Sequence, residues 1–163
     1  MSNETPRTTT AAASTAITIS TTAEDSNHRA QAAAAALYAG DRASQALGIE
    51  VLDVAPGRAR VAMTVRADMV NGHGICHGGM VFSLADSAFA FACNSRGEAM
   101  VAAGASIEFL SPTRVDEHLI ATATETARTP RHGIYDVVVA TAAGEVRAHF
   151  RGRCSRLNTA APR

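Results

Sequence analysis

The sequence predicts an α+β fold: an antiparallel β-sheet with one long apolar helix lying on it. Three observations carry this. Two short strand-like runs, "IEVLDVAPG" and "RARVAMTVR", stand before a single glycine-opened apolar segment. Four further runs follow it, "MVAAGASIEFLSP", "HLIATATETAR", "GIYDVVVATA" and "EVRAHFRGRCSRL", each rich in β-branched or alternating residues. Strands on both sides of one helical segment fit a sheet covered by a helix, and no internal repeat suggests another architecture.

The elements follow in order. Residues 1–26, Thr-, Ala- and Ser-rich in low-complexity order, read as a disordered tail. The folded domain is expected over residues 27–158, with 159–163 as a C-terminal tail. Ser26 is placed to cap a first, Ala-rich helix that Gly40 stops. Asp41 is placed to cap a shorter second helix that Gly48 ends. The first strand closes in a Pro56-Gly57 turn, and the second sets Val61, Met63 and Val65 on one side. Gly79 to about Asn94 reads as a helix apolar almost all round, and such a helix is normally buried on most sides. "TAAGEV" is the hairpin connection between the last two strands.

Composition excludes several function classes. A length of 163 residues suits one domain, and a net charge of +0 offers no footprint for nucleic acid or an acidic membrane. No apolar run reaches membrane-spanning length. Every one of the basic residues is Arg, which removes a Schiff-base or P-loop lysine and leaves Arg for any phosphate contact. Cys76, Cys93 and Cys154 are scattered without a CxxC, which fits free thiols and a cytoplasmic location. "HGICH" gathers His73, Cys76 and His77 but lacks a fourth ligand, so no metal site and no cofactor is expected. Cys76 has no marked His partner to make it a nucleophile.

One carboxylate stands out. Asp86 lies inside the apolar helix, sharing a face with Phe82, Phe89, Ala90 and Cys93, with Ser83 and Ser87 as its nearest polar neighbours in sequence. Burial disfavours its charge and raises its pKa, which suits a proton carrier; a carboxylate satisfied by structural contacts is the other reading. At the front of the helix Gly78 and Gly79 can leave N–H groups bare at a positive helix end, where a carbonyl oxygen gaining charge would be held. His77 to Asp86 spans nine residues, a rise of roughly 13 Å and about two and a half turns. One chain cannot bring both ends to one reacting group. Two copies with antiparallel helices across a twofold axis can, with two equivalent sites per dimer.

The blocks "NGHGICHGGMVFSLADSAFAFACNSRG", "SIEFLSP" and "GIYDVVV...GEVRAHFRGR" resemble the hotdog-fold thioesterases of the phenylacetate-degradation (PaaI) type, over roughly Asn27 to Leu157. The specific part is the spacing Asn-x5-His-Gly-Gly-x6-Asp. The resemblance implies a central helix wrapped by an antiparallel sheet, homodimers joined sheet to sheet, commonly a homotetramer, and hydrolysis of acyl-CoA thioesters. It makes Asp86 the catalytic carboxylate, as nucleophile or as base on water. Gly78 would polarise the thioester carbonyl through its N–H, with His77 beside it, and Asn71 would orient the thioester or the water. Gly79, Phe82 and Ser83 are expected against the substrate, and Arg128 and Arg131 of "ARTPRHG" against the CoA phosphates, ahead of Arg151 and Arg153. A Ser or Thr that some relatives place on the next strand is matched here by Ala102, with Ser106 further along. The family points to phenylacetyl-CoA and ring-hydroxylated relatives. A hydratase or dehydratase, and a non-catalytic acyl-CoA-binding module, are the competing readings; release of free thiol separates both from a thioesterase.

Overall fold

The computed structural model of the chain describes residues 11–157. Helix α1 (Ala11–Gly40) and short α2 (Arg42–Ala46) lead into strands β1 (Glu50–Ala55) and β2 (Arg58–Thr64). The central helix α3 (Gly78–Asn94) follows, then β3 (Met100–Phe109), β4 (His118–Arg128), β5 (His132–Thr141) and β6 (Val146–Arg156). The strands form one six-stranded sheet in the order β1-β2-β4-β5-β6-β3, antiparallel at every pairing. α3 packs against the sheet, as the expected α+β architecture requires.

Alternation puts the core where the pattern predicts. Val61, Met63 and Val65 are fully buried, as are Leu119, Ala121 and Ala123 of β4 and Tyr135, Val137 and Val139 of β5. They meet Leu84, Ala85, Ala88, Phe89, Phe91 and Ala92 of α3. Ring contacts tie the layers: Phe89 packs on Tyr135 and Phe150, and Tyr38 of α1 on Phe91. Gly152 of β6 makes room for the helix, because a Cβ there would lie 2.9 Å from three Phe89 ring atoms. Gly152→Ala should therefore cost about 1–3 kcal/mol through overpacking, read as a fall in Tm of several degrees. An unchanged melting curve would show that the helix is not seated this tightly.

The start of α1 differs from expectation. The helix runs from Ala11, so residues 11–26 are helical where a disordered tail was expected. Ser26 is not a cap: it sits inside the helix, and its hydroxyl donates to the Thr22 carbonyl. The Ala-rich run at 30–36 supplies the helix nucleus, and extending an existing helix through 11–26 needs no new one. Residues 1–10 and 158–163, with the rest of both expected tails, lie outside the described residues. The other punctuation holds. α1 ends at Gly40, the Asp41 carboxylate caps α2 by accepting from the Ser44 N–H, and Gly48 follows α2 at φ +70°. Among the described residues no helix is both long and apolar enough to cross a membrane.

Candidate active site

The two ends of α3 are built differently. At its start the chain is gathered by backbone bonds: His77 N–H to Met69, Cys76 N–H to Thr113, and Leu110 N–H to Arg147. These hold the 70–77 loop, the segment after β3 and the start of β6 around Gly78. Asn71 stiffens the loop, its Oδ1 accepting from the His73 N–H and its own N–H donating to the Ile75 carbonyl. That leaves the Asn71 Nδ2 as the donor able to face a ligand.

His77 is the N-cap of α3, in extended conformation, and its Nδ1 accepts from the Gly79 N–H at 2.9 Å. Two consequences follow. With Nδ1 accepting, the proton of the neutral ring sits on Nε2, which points away from the cap as a donor. The Gly79 N–H is also no longer bare, contrary to the expectation for both glycines. Only Gly78, the first residue of the helix, keeps an N–H with no acceptor among the described residues, at the positive end of the dipole.

Beside Gly78 opens a cleft of about 490 Å³, mostly apolar, lined by Asn71, Cys76, Val81, Phe109, Leu110 and Arg147 among others. Phe109 and Leu110 are 54% and 58% exposed, and the Phe109 ring lies against Gly78, where a Cβ would come within 3.0 Å of its Cζ. In the sequence, "SIEFLSP" stood out only as a family block. The signal for these two residues was there, since large apolar side chains at the end of an alternating strand have no core left to enter. Cys76 is buried at the cleft wall and its thiol is pushed up chiefly by burial, which makes it an inert wall rather than a nucleophile. Arg147 is held by Glu117 and Glu145, so its charge is already matched.

Asp86 is not in this cleft. It belongs to a partly exposed stripe of α3, Phe82, Ser83, Asp86, Ser87 and Ala90. Phe82 packs edge-on against Phe150 at 5.3 Å. Neither serine supports the acid as their proximity suggested. Ser83 donates to the Gly79 carbonyl one turn back, and Ser87 bonds Ser44 of α2. A mid-helix serine finds its own i−4 carbonyl more readily than a neighbour's carboxylate. Among the described residues Asp86 has no hydrogen-bond donor and no cation against it. Burial, and secondarily the negative charge of Asp41, raise its pKa above the ordinary carboxylate value.

Arg128 and Arg131 stand at the other end of the molecule from Gly78. The far end is marked by Asn94, which bonds Met100, and by Ser95, whose Oγ accepts from the Gly57 N–H. Arg128 is ion-paired there with Glu98, and Arg131 lies in the turn into β5. His73 and His77 are exposed, and no group of His, Cys, Asp and Glu among the described residues is arranged to hold a metal ion.

Three comparisons bear on this geometry. A model of the thioesterase superfamily matches residues 73–148, which include His77, Gly78 and Asp86. The acyl-coenzyme A thioesterase PaaI of Escherichia coli strain K12 is 44% identical over 131 residues, covering 80% of this chain and 94% of that protein. The solved structure of the E. coli PaaI protein, from the phenylacetic acid degradation operon, superposes with a TM-score of 0.80, covering 81% of this chain and 96% of its own. A mutant of the phenylacetic acid degradation protein PaaI from Thermus thermophilus is 41% identical, with a TM-score of 0.69, and covers 72% of this chain and all of its own.

Proposed function

The chain belongs to the hotdog-fold PaaI-type acyl-CoA thioesterases, and on that premise we propose that it hydrolyses phenylacetyl-CoA or hydroxyphenylacetyl-CoA to the free acid and CoA, in phenylacetate degradation. The observation that carries the site assignment is Asp86: a carboxylate without a hydrogen-bond donor or cation among the described residues, on the half-exposed stripe of an otherwise apolar helix. Such a group is expensive to keep unless it works.

Asp86 acts on water or directly on the thioester. As a base, it takes a proton from water while the water oxygen attacks the carbonyl carbon. The carbonyl electrons move onto oxygen, and the Gly78 N–H, with the helix end behind it, stabilises that negative charge. Collapse restores the carbonyl and breaks the C–S bond; the CoA thiolate leaves and takes the proton back from Asp86. As a nucleophile, Asp86 forms the C–O bond itself, the C–S bond breaks and the CoA thiolate leaves; water then cleaves the resulting mixed anhydride to the free acid and the Asp86 carboxylate, its surplus proton going to the thiolate. Asn71, through its Nδ2, and His77, through its Nε2–H, orient the thioester or water from the Gly78 side. Gly79 and Ser83 give a small, unobstructed first turn for the substrate, with Phe82 beside them.

These groups act together in a homodimer whose α3 helices run antiparallel. The stripe bearing Asp86 then faces the Asn71–Gly78 end of the other copy. β3 supports the arrangement: it is an edge strand, largely exposed, with Val101 and Phe109 uncovered. The same packing carries Arg128 and Arg131 of one copy toward the other copy's cleft, where they would meet CoA phosphates. Two such dimers make the proposed homotetramer. A cytoplasmic location belongs to the same reading and is supported by Cys76, Cys93 and Cys154 remaining free thiols.

The test is a thiol-release screen over aryl-acetyl, benzoyl and straight-chain acyl-CoAs. Aryl-acetyl thioesters should give the highest kcat/KM, by at least about tenfold, since a filled apolar pocket distinguishes acyl groups by roughly 1–3 kcal/mol. A straight-chain preference would overturn the substrate assignment and leave the hydrolase intact.

A further inference from the structure

The charge that acts on Asp86 within the described residues comes from a different part of the chain. Asp41, at the start of α2, is fixed in place by its own cap: Oδ1 accepts from the Ser44 N–H at 3.0 Å and Oδ2 from the Ser44 hydroxyl at 2.6 Å. Ser44 is 3% exposed, and its Oγ lies 2.9 Å from the Oγ of Ser87, the residue after Asp86. Because the Ser44 proton is given to Asp41, the Ser87 hydroxyl donates to Ser44. An unbroken chain, Ser87 to Ser44 to Asp41, therefore pins α2 to the turn of α3 that carries Asp86. The cap requires only a side-chain oxygen; a neutral Asn or Ser would serve it as well. The charge at position 41 is not needed for the cap bond itself; its second oxygen holds the Ser44 hydroxyl.

We propose that Asp41 is a positioning residue for the hydrolysis: locked to α3 through Ser44 and Ser87, it fixes a negative charge beside the turn of α3 that carries Asp86. The proposal rests on Asp86 being the catalytic carboxylate. The groups facing Asp86 agree with it. After burial, the charge that raises the Asp86 pKa among the described residues is that of Asp41. The Cys93 thiol on its own helix feels Asp86 in return and, itself raised by burial, stays neutral. In the dimer proposed above, the other copy adds the His77 end. Like charges favour the protonated form, so Asp41 acts in the same sense as burial.

The experiment is the pH profile of kcat/KM for Asp41→Asn and Asp41→Ser, both competent helix caps. Their acid limb should move to lower pH, leaving a roughly two- to fivefold larger fraction of plateau activity at a pH on the parent's limb. The plateau itself should fall by no more than a few-fold, the signature of a weaker base. Loss of activity with the limb unmoved would reduce Asp41 to a structural cap and overturn the proposal. A limb unmoved at full activity overturns it as well. Asp86→Asn, measured beside them, keeps the failures apart: full activity there removes the role of Asp86, whereas an inactive Asp86→Asn with unmoved Asp41 variants removes only Asp41.

Discussion

Asp86→Asn should lose thiol release from acyl-CoA by about 10²–10⁴-fold in kcat/KM, the range that a general base or activated nucleophile supplies. The amide keeps the size and nearly the shape of the side chain, and no hydrogen bond within the described residues depends on the carboxylate, so the fold has nothing to lose. It has something to gain. Burial raises the Asp86 pKa in the folded chain above the ordinary value of 3.8. The folded state thus holds this proton more tightly than the unfolded chain. Its favourable contribution is complete below pH 3.8 and is lost as pH rises through the raised folded value. At neutral pH the parent carries an uncompensated charge that Asp86→Asn removes. The variant should therefore melt higher by the equivalent of about 0.5–1 kcal/mol at pH 7, a small figure because the site is half-exposed. The gap should close as pH falls toward 3.8. Parent activity should fail on the acid side above the ordinary carboxylate range. A variant that is equally active, or less stable at neutral pH, would mean that Asp86 is a structural acid. In a single turnover in heavy-oxygen water, a base sends the label to the released acid, whereas an anhydride cleaved at the Asp86 carbonyl leaves the label on Asp86 and enzyme oxygen in the acid, an outcome that only the nucleophile gives.

Local signals were legible in the sequence wherever one element decided the outcome. Alternation in the β2 run placed Val61, Met63 and Val65 on one side, and all three are in the core. Glycines ended α1 and α2, and helical pitch alone was enough to separate Gly78 from Asp86 along α3. What escaped depends on partners remote in sequence or on competition between bonds. Asp41 and Ser44 reach Ser87 only because α2 folds back on α3, and no spacing rule links positions 43 residues apart. That Gly79 gives its N–H to His77 follows from a rotamer, not from the HGG pattern. Ser83 looked like help for Asp86 on a helical wheel but bonds its own backbone. The onset of α1 differs because the segment reads as a tail by its own polarity, whereas it extends a helix nucleated by the Ala-rich run that follows it.

Gly78→Pro should cost about 10²–10³-fold in kcat, the value of one oxyanion donor, while leaving α3 in place. The reason is positional. Gly78 is the first residue of the helix, where proline is well accommodated, and its N–H has no acceptor among the described residues to forfeit. His77 before it is already extended, with ψ 132°, as a residue preceding proline must be. Gly78→Ala is the control, since it adds a Cβ against the movable Phe109 ring but keeps the N–H. It should stay within about tenfold of the parent, because the donor that a single oxyanion contact provides is still present. The proline variant also tests the dimer. If Asp86 of one copy works with Gly78 of the other, chains carrying Asp86→Asn and chains carrying Gly78→Pro are each inactive alone. Co-expressed in equal amounts, they assemble some sites with Asp86 from the Gly78→Pro chain and Gly78 from the Asp86→Asn chain, both intact. Random pairing makes about a quarter of all sites whole, so about a quarter of parental activity should return. If a single chain supplied both groups, every site would keep one defect and the mixture would stay inactive. Recovery of activity from two inactive proteins would thus locate the site between copies, and its absence would return Asp86 and Gly78 to separate roles.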